Sequence, residues 1–254
     1  MISFIVPAYN EEKLIARTLV ALNEAGKRID EGYEIVVADD ASTDRTADLA
    51  SILGARVVSV ARRQIAATRN AGARASSGDK LIFVDADTVV SNEAVRAAVE
   101  AMNGGAVGGG SAVTFDGRLP RYAEVINPAL VRLFRALGFA CGCFVFCTRE
   151  AFDKVGGFDE ELFASEEISI SRALKRLGKF IVLHESVTTS GRKLRMYSGK
   201  ELLCLFGRFA LSGTKRLKRR DGLEVWYGGR RDDPEPISNG FSQRQPSPEI
   251  ELSV

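Results

Sequence analysis

One histidine, His184, stands in 254 residues, and the four cysteines include no Cys-x-x-Cys pair. These shortages argue against a zinc site of thiolates and imidazoles and leave a hydrolase triad little material. Cys141, Cys143 and Cys147 lie in the apolar run CGCFVFC, where reduced, buried thiols are expected rather than a disulfide framework. No Gly-x-Gly-x-x-Gly follows the first strand-like run, and neither a P-loop nor a Gly-x-Ser-x-Gly elbow occurs. Dinucleotide-dependent redox enzymes, P-loop proteins and serine hydrolases thus lack their signatures. No apolar run reaches the length of a membrane span, because Arg208 interrupts LLCLFGRFAL. The opening MISFIVPAYNEE has no basic region before its apolar residues, so no signal peptide is expected and the protein reads as cytoplasmic. A net charge of +2 gives nucleic acid no global electrostatic support.

What is present fits one α/β domain with an ample core: 45% of the residues are apolar and 27% are charged. Short β-branched runs alternate with helical patterns over the first hundred residues. ISFIVPA, YEIVVAD, ARVVSV and KLIFVDA read as strands, followed by helices near 11–25, 43–53 and 64–75 and by one capped at Ser91. Such alternation predicts a parallel sheet whose ligands bind beyond the carboxyl ends of the strands. PAYNEE, DDASTD, ARRQ and DAD each follow one of these strands, so four polar clusters converge on one rim. The second half is less regular. GGAVGGGSAVTF reads as a strand with close backbone approach, followed by helices near 120–138 and 165–177 and the strand FIVLHE.

Asp85 and Asp87 are one residue apart where an apolar strand emerges. Strand spacing would direct both carboxylates to one face, where like charges repel and a cation is called for. Hard oxygen ligands without a glycine-rich phosphate loop suit Mg²⁺ or Mn²⁺ bridging a diphosphate. Asp39 or Asp40 could accept a hydrogen bond from a ring N–H of uracil or guanine, and the Pro7–Tyr9 stretch could pack on the base. Plainer readings exist: Asn10 and Asp44 as helix caps, Pro7 as a strand stop, and the acids Glu166 and Glu167 as companions of a helix dipole.

FIVPAYNEE, IVVADDASTDRT, ATRNAGARASSGDKLIFVDAD and VGGFDEELFASEEISISRALKRLGK resemble, in order and spacing, the family 2 nucleotide-sugar glycosyltransferases over residues 1 to about 190. The resemblance implies a GT-A type fold, a single domain with a mixed, mostly parallel sheet flanked by helices. A Rossmann-like nucleotide-binding half would span 1–105 and an acceptor half 106–220, with a poorly ordered tail over 221–254. It implies that Pro7, Ala8, Tyr9 and Glu11 line the nucleotide, with Asp39 or Asp40 on the base. Asp85, Ala86 and Asp87 would hold the ribose and the metal, completed by His184 after the late strand. Glu166-Glu167 matches the Glu-Asp pair that carries the family's catalytic base, with Glu where Asp is usual; Glu167 is the expected base. Arg192 and Lys193, with Arg62 and Arg69 as weaker candidates, would neutralise the departing diphosphate.

The expected activity is metal-dependent, inverting transfer from a UDP- or GDP-linked sugar to an unidentified hydroxyl. Gln-x-x-Arg-Trp and membrane spans, marks of the family's processive synthases, are absent, and the single tryptophan is Trp226. A sugar-phosphate nucleotidyltransferase and a nucleotide-sugar-binding module without turnover are the alternatives. Ten basic residues against Glu201 alone fall between Arg192 and Arg220. The helical pattern from Ser198 to Lys218 therefore fits either a helix packed on the domain or a peripheral contact with the inner, anionic face of a membrane.

Overall fold

A computed structural model describes residues 1–201, 218, 220 and 223–228, apart from the side chains of 125–128, 130, 134, 224 and 226. The strands are β1 (Ile2–Ala8), β2 (Tyr33–Asp40), β3 (Arg56–Val60), β4 (Lys80–Val84), β5 (Thr88–Val89), β6 (Gly108–Phe115), β7 (Phe144–Thr148) and β8 (Phe180–Thr189). The helices are α1 (Ile15–Gly26), α2 (Thr46–Ile52), α3 (Ile65–Ala75), α4 (Asn92–Asn103) and α5 (Arg121–Leu137). They continue with α6 (Arg149–Val155), α7 (Glu166–Leu177), α8 (Arg192–Met196) and α9 (Glu224–Tyr227).

All eight strands join one sheet in the order β3-β2-β1-β4-β7-β6-β8-β5. β3, β2, β1 and β4 run parallel, as the alternating pattern predicts. β7 enters antiparallel between β4 and β6, and β8 then pairs parallel with β6. The result is a single mixed α/β domain.

Burial on both faces explains the unbroken apolar strands. Along β1, Phe4 and Val6 face a core shared with Ile15, Leu19 and Leu22 of α1 and Val95 of α4. Ile5 faces the other core, with Ala66 and Ala73 of α3, Phe152 of α6 and Leu174 of α7. β4 alternates in the same way, Ile82 and Val84 to one side, Leu81 and Phe83 to the other. Close backbone approach in β6 is also present: a Cβ at Gly109 would overlap the Ile181 carbonyl oxygen and the Phe146 ring. Ser91 caps α4 by accepting from the Ala94 amide at 3.1 Å.

β8 is longer than FIVLHE. Val187, Thr188 and Thr189 carry its pairing with β6 to Phe115↔Thr189, so His184 is an exposed mid-strand residue rather than a strand end. Of the expected tail, 223–228 is described, and Leu223 is buried. The expected amphipathic helix lies mostly outside the described residues; 199–201 are helical, with the Ser198 hydroxyl and the Glu201 carboxylate bonded reciprocally. Among the described residues no helix is long and apolar enough to cross a membrane.

Phe83 stacks on Phe152 with centroids 5.5 Å apart and meets Phe158 edge-on at 4.9 Å. Phe83→Ala should lower the unfolding free energy by about 3–5 kcal/mol in urea titrations. A loss below about 1 kcal/mol would mean that this ring cluster is not close-packed.

Candidate active site

The carboxyl ends of β1, β2 and β4 open onto a half-open cleft. Pro7 and Ala8 at the end of β1 and Tyr9 and Glu11 beyond it line the cleft, as do Asp40 and the turn Asp85-Ala86-Asp87. Arg192 and Lys193 of α8 close one side. Sequence order places none of these segments together; the parallel register does.

Tight backbone marks the same rim. Asn10, Ala41, Arg63 and Ser165 are the four non-glycine residues with positive φ among the described residues, and each follows a strand or precedes α7. Such backbone costs energy and persists only where surrounding contacts fix it. Asn10 is fixed by side-chain bonds that join the first two loops: the Thr43 amide donates to its Oδ1 at 2.8 Å, and its Nδ2 donates to Thr43 Oγ1. Asp44 receives the amides of Glu12 and Thr46. α1 and α2 follow Leu14 and Arg45, neither of which makes a side-chain cap bond, so the plainer cap readings of Asn10 and Asp44 give way to bonds that join the loops.

Asp85-Ala86-Asp87 is a turn rather than strand, closed by the Thr88 amide donating to the Asp85 carbonyl at 3.0 Å. The two carboxylates have separate cations. Arg69 Nη2 donates to Asp85 Oδ1 at 2.8 Å, and Arg192 Nη2 donates to Asp87 Oδ2 at 3.1 Å. Thr189 Oγ1 donates to Asp87 Oδ1, and Arg192 Nη2 also reaches Glu11 Oε1 at 2.5 Å. Burial raises the Asp85 carboxyl above its usual range and Asp87 adds to this, while Arg69 opposes it.

Arg69 extends the pairing to the second set of acids. Its Nη1 donates to Glu166 Oε1 at 2.8 Å and its Nη2 to the Gly142 carbonyl at 2.7 Å. With both Nη atoms engaged and the side chain not among those that line the cleft, the guanidinium is placed as a bridge and not as a diphosphate contact, which corrects that expectation. Burial works against its charge, but Asp85 and Glu166 more than offset this and hold it protonated. Glu166 is engaged by Arg69, and Glu167 is the acid beside it. Burial first, and the negative Glu166 second, push Glu167 up to about 8.

The two aspartates after β2 differ. Asp40 accepts the amides of Arg62, Arg63 and Gln64 and the Thr68 hydroxyl, so its carboxylate is spent on fixing the β3–α3 loop. Asp39 accepts from the Ser42 amide, and its Oδ1 is buried with no hydrogen-bond partner among the described residues. Asp39 pairs in register with Ala8, which lines the cleft.

His184 does not join the site. It lies five residues before Thr189, roughly 16 Å along an extended strand from the contact with Asp87. The loop that reaches Asp87 is Thr189-Ser190-Gly191-Arg192, because β8 continues past the histidine. Among the described residues no group of three or more His, Cys, Asp or Glu could hold a metal ion by itself. Arg62 is an exposed side chain, whereas its neighbour Arg63 lines the cleft with its guanidinium 3.3 Å over the Tyr9 ring. The polar cluster ARRQ was visible; which arginine turned inward depended on the positive φ at Arg63. Val225 and Tyr227 also line the cleft, and no pattern in the sequence marked them.

The thiols stay out of the chemistry. Burial raises Cys143 well above its ordinary value and pushes Cys141 up to about 11, so both are protonated at neutral pH.

Residues 3–156 match the model of glycosyl transferase family 2. Over 99 residues the chain is 38% identical to 4,4'-diaponeurosporenoate glycosyltransferase of Staphylococcus haemolyticus, covering 36% of this chain and 25% of that protein. Over 143 residues it is 30% identical to dolichol-phosphate mannosyltransferase of Pyrococcus furiosus, covering 53% of this chain and 40% of that protein. The matches thus span a quarter to two fifths of these relatives' lengths. In fold it is similar to the mannosyltransferase PcManGT of Pyrobaculum calidifontis, solved with GDP-Man and Mn²⁺. The TM-score is 0.61 at 21% identity, over 83% of this chain and 61% of that one.

From pH 4.5 to about 8 the folded protein keeps a proton on Glu167 that the unfolded chain releases. On this group's account stability falls as pH rises through that window. Glu167→Gln cannot titrate, so its unfolding free energy relative to wild type should climb between about pH 5 and about pH 8.5 in urea titrations. A difference independent of pH would mean that Glu167 ionises normally in the fold.

Proposed function

The chain belongs to glycosyl transferase family 2, and from that premise we propose that it moves a sugar from a UDP- or GDP-linked donor to an acceptor hydroxyl, with inversion at the anomeric carbon. The observation that carries this reading is the Arg69 bridge, which joins the aspartate turn of the donor cleft to the acid pair of α7. A diphosphate at Asp85–Asp87 then has its sugar directed toward Glu166 and Glu167.

Glu167 is the base in this proposal. It takes the proton of the acceptor hydroxyl as that oxygen bonds to the anomeric carbon. The bond from this carbon to the diphosphate oxygen breaks on the opposite face, and its electron pair leaves with the nucleoside diphosphate. Because Arg69 occupies Glu166, the second acid is the one available for proton transfer, and with a value near 8 its base form builds up as pH rises through that value. Lys193 lines the cleft where negative charge gathers on the leaving group, and Arg192 stands beside it. Asp39 Oδ1 is the acceptor left for a ring N–H of uracil or guanine, while Tyr9 and Pro7 face the base.

Metal dependence is part of the proposal. The hard oxygens of Asp85 and Asp87 fit Mg²⁺ or Mn²⁺ shared with diphosphate oxygens, since such ions need only one or two carboxylates when phosphates complete the shell. When bound, the ion supplies positive charge to the leaving diphosphate. Arg192 would release Asp87 Oδ2 on loading. The acceptor is proposed only as a hydroxyl, and the basic stretch 198–218, by its composition, as a peripheral contact with an anionic, cytoplasmic membrane face.

Glu167→Gln should reduce transfer to acceptor about 10²–10⁴-fold while donor affinity stays within about twofold. Normal turnover by this variant together with an inactive Glu166→Gln would reverse the assignment within the pair. In calorimetry, donor affinity should rise with Mn²⁺ and fall on chelation, and Asp87→Ala should abolish that dependence. A folded Asp87→Ala protein with undiminished metal dependence would remove the metal from the proposal.

A further inference from the structure

We propose that residues 223–228 form the cover of the donor cleft and that Tyr227 donates a hydrogen bond to the sugar being transferred, an inference that rests on the donor assignment above. This segment lies far beyond residue 156, where the family match ends, and none of the donor motifs includes it. Yet Val225, Tyr227 and Gly228 share the cleft wall with Asp85, Asp87 and Lys193.

The cover is anchored at several points. Leu223 is 1% exposed, and the Tyr227 amide donates to its carbonyl at 3.0 Å. The Tyr227 ring meets Phe163 edge-on, with centroids 5.8 Å apart, and Phe163 belongs to the loop that leads into Glu166 and Glu167. The Arg220 guanidinium lies 5.1 Å from the centre of the same ring. These contacts fix the phenol between the C-terminal segment and the base-bearing loop.

Its hydroxyl is the unusual feature. The oxygen is buried, and no hydrogen bond donated by it is found among the described residues; the nearby Ile65 amide can only donate to it, so its own O–H lacks an acceptor. A buried hydroxyl in that state is unfavourable, and a ligand acceptor would relieve it. Burial first and Glu166 second push its ionisation up to about 12, so at neutral pH it carries its proton and donates. The charged groups that act on it most are Glu166 and Arg69, which belong to the reaction end of the cleft. The nucleotide end, at Asp39 and Tyr9, is on other loops. The acceptor that fits is therefore a hydroxyl or ring oxygen of the donor sugar, not the base.

Calorimetry on the full chain with Mn²⁺ tests this with UDP, GDP, UDP-glucose, UDP-N-acetylglucosamine and GDP-mannose. For the sugar nucleotide that the wild type binds, Tyr227→Phe should lose about tenfold in affinity, while affinity for the matching diphosphate changes less than about twofold. Tyr227→Leu, which keeps an apolar contact with Phe163, should show the same split. Equal affinities in wild type and Tyr227→Phe would overturn the inference, as would equal losses for sugar nucleotide and diphosphate, which mark a purely structural cover. If the wild type binds no nucleoside diphosphate at all, the donor assignment itself fails. If wild type binds the diphosphate and only the split is missing, the role of Tyr227 alone fails.

Discussion

The guanidinium of Arg69, buried in α3, holds Asp85 after β4 and Glu166 at the start of α7, side chains that the sequence places 16 and 97 residues away. Each of these charges is expensive to remove from water, and the group is stable only because the charges and hydrogen bonds satisfy one another. Losing one partner of such a cluster typically costs about 3–5 kcal/mol, so the bridge resists distortion. Its consequence for chemistry is positional. The Asp85–Asp87 turn and the acid pair are held at a fixed separation before any ligand arrives, which is preorganisation of the kind that positioning and electrostatic catalysis use.

α3 is the beam on which this arrangement rests. Near its start Gln64 donates through Nε2 to the Glu160 and Leu162 carbonyls, and one turn later Thr68 meets Asp40. Asn70 then accepts from the Phe158 amide and donates to the Phe158 carbonyl. One helix thus ties the loop after β2 to the loop before α7. Gly157, with φ 79°, lets that loop turn against Asn70, where a side chain would collide with its amide oxygen. The positive φ values at Ala41, Arg63 and Ser165 fall on or beside the segments so restrained. A site built from strained loops needs such fixed points, because loops without them sample many conformers.

Two pairs of neighbouring acids show that burial and pairing, rather than residue type, decide what each carboxylate can do. Asp39 and Asp40 are chemically identical neighbours, yet four donors saturate Asp40 and leave it a structural clamp, while Asp39 keeps a buried acceptor. Glu166 and Glu167 divide in the same manner: Arg69 fixes one, and the other is raised by burial first and by its neighbour's charge second. In both pairs the split comes from partners distant in sequence, which local patterning does not reveal.

Local chemistry alone determined much of this protein. Two-sided apolar strands, period-3.6 helices and caps such as Ser91 depend on neighbouring residues, so they are legible in order along the chain. The rim was legible too, because parallel strands joined by crossover helices must bring their carboxyl ends to one edge. Tertiary structure decided what each polar side chain does there. The length of β8 was set by its pairing with β6, which moved the approach to Asp87 from His184 to Thr189 and Arg192. Arg69 became a buried bridge rather than a surface cation, and Tyr227 reached the cleft from a stretch with no periodic signal. These outcomes depend on long-range pairing and on which charges share a desolvated space, and neither quantity is encoded in any short window of sequence.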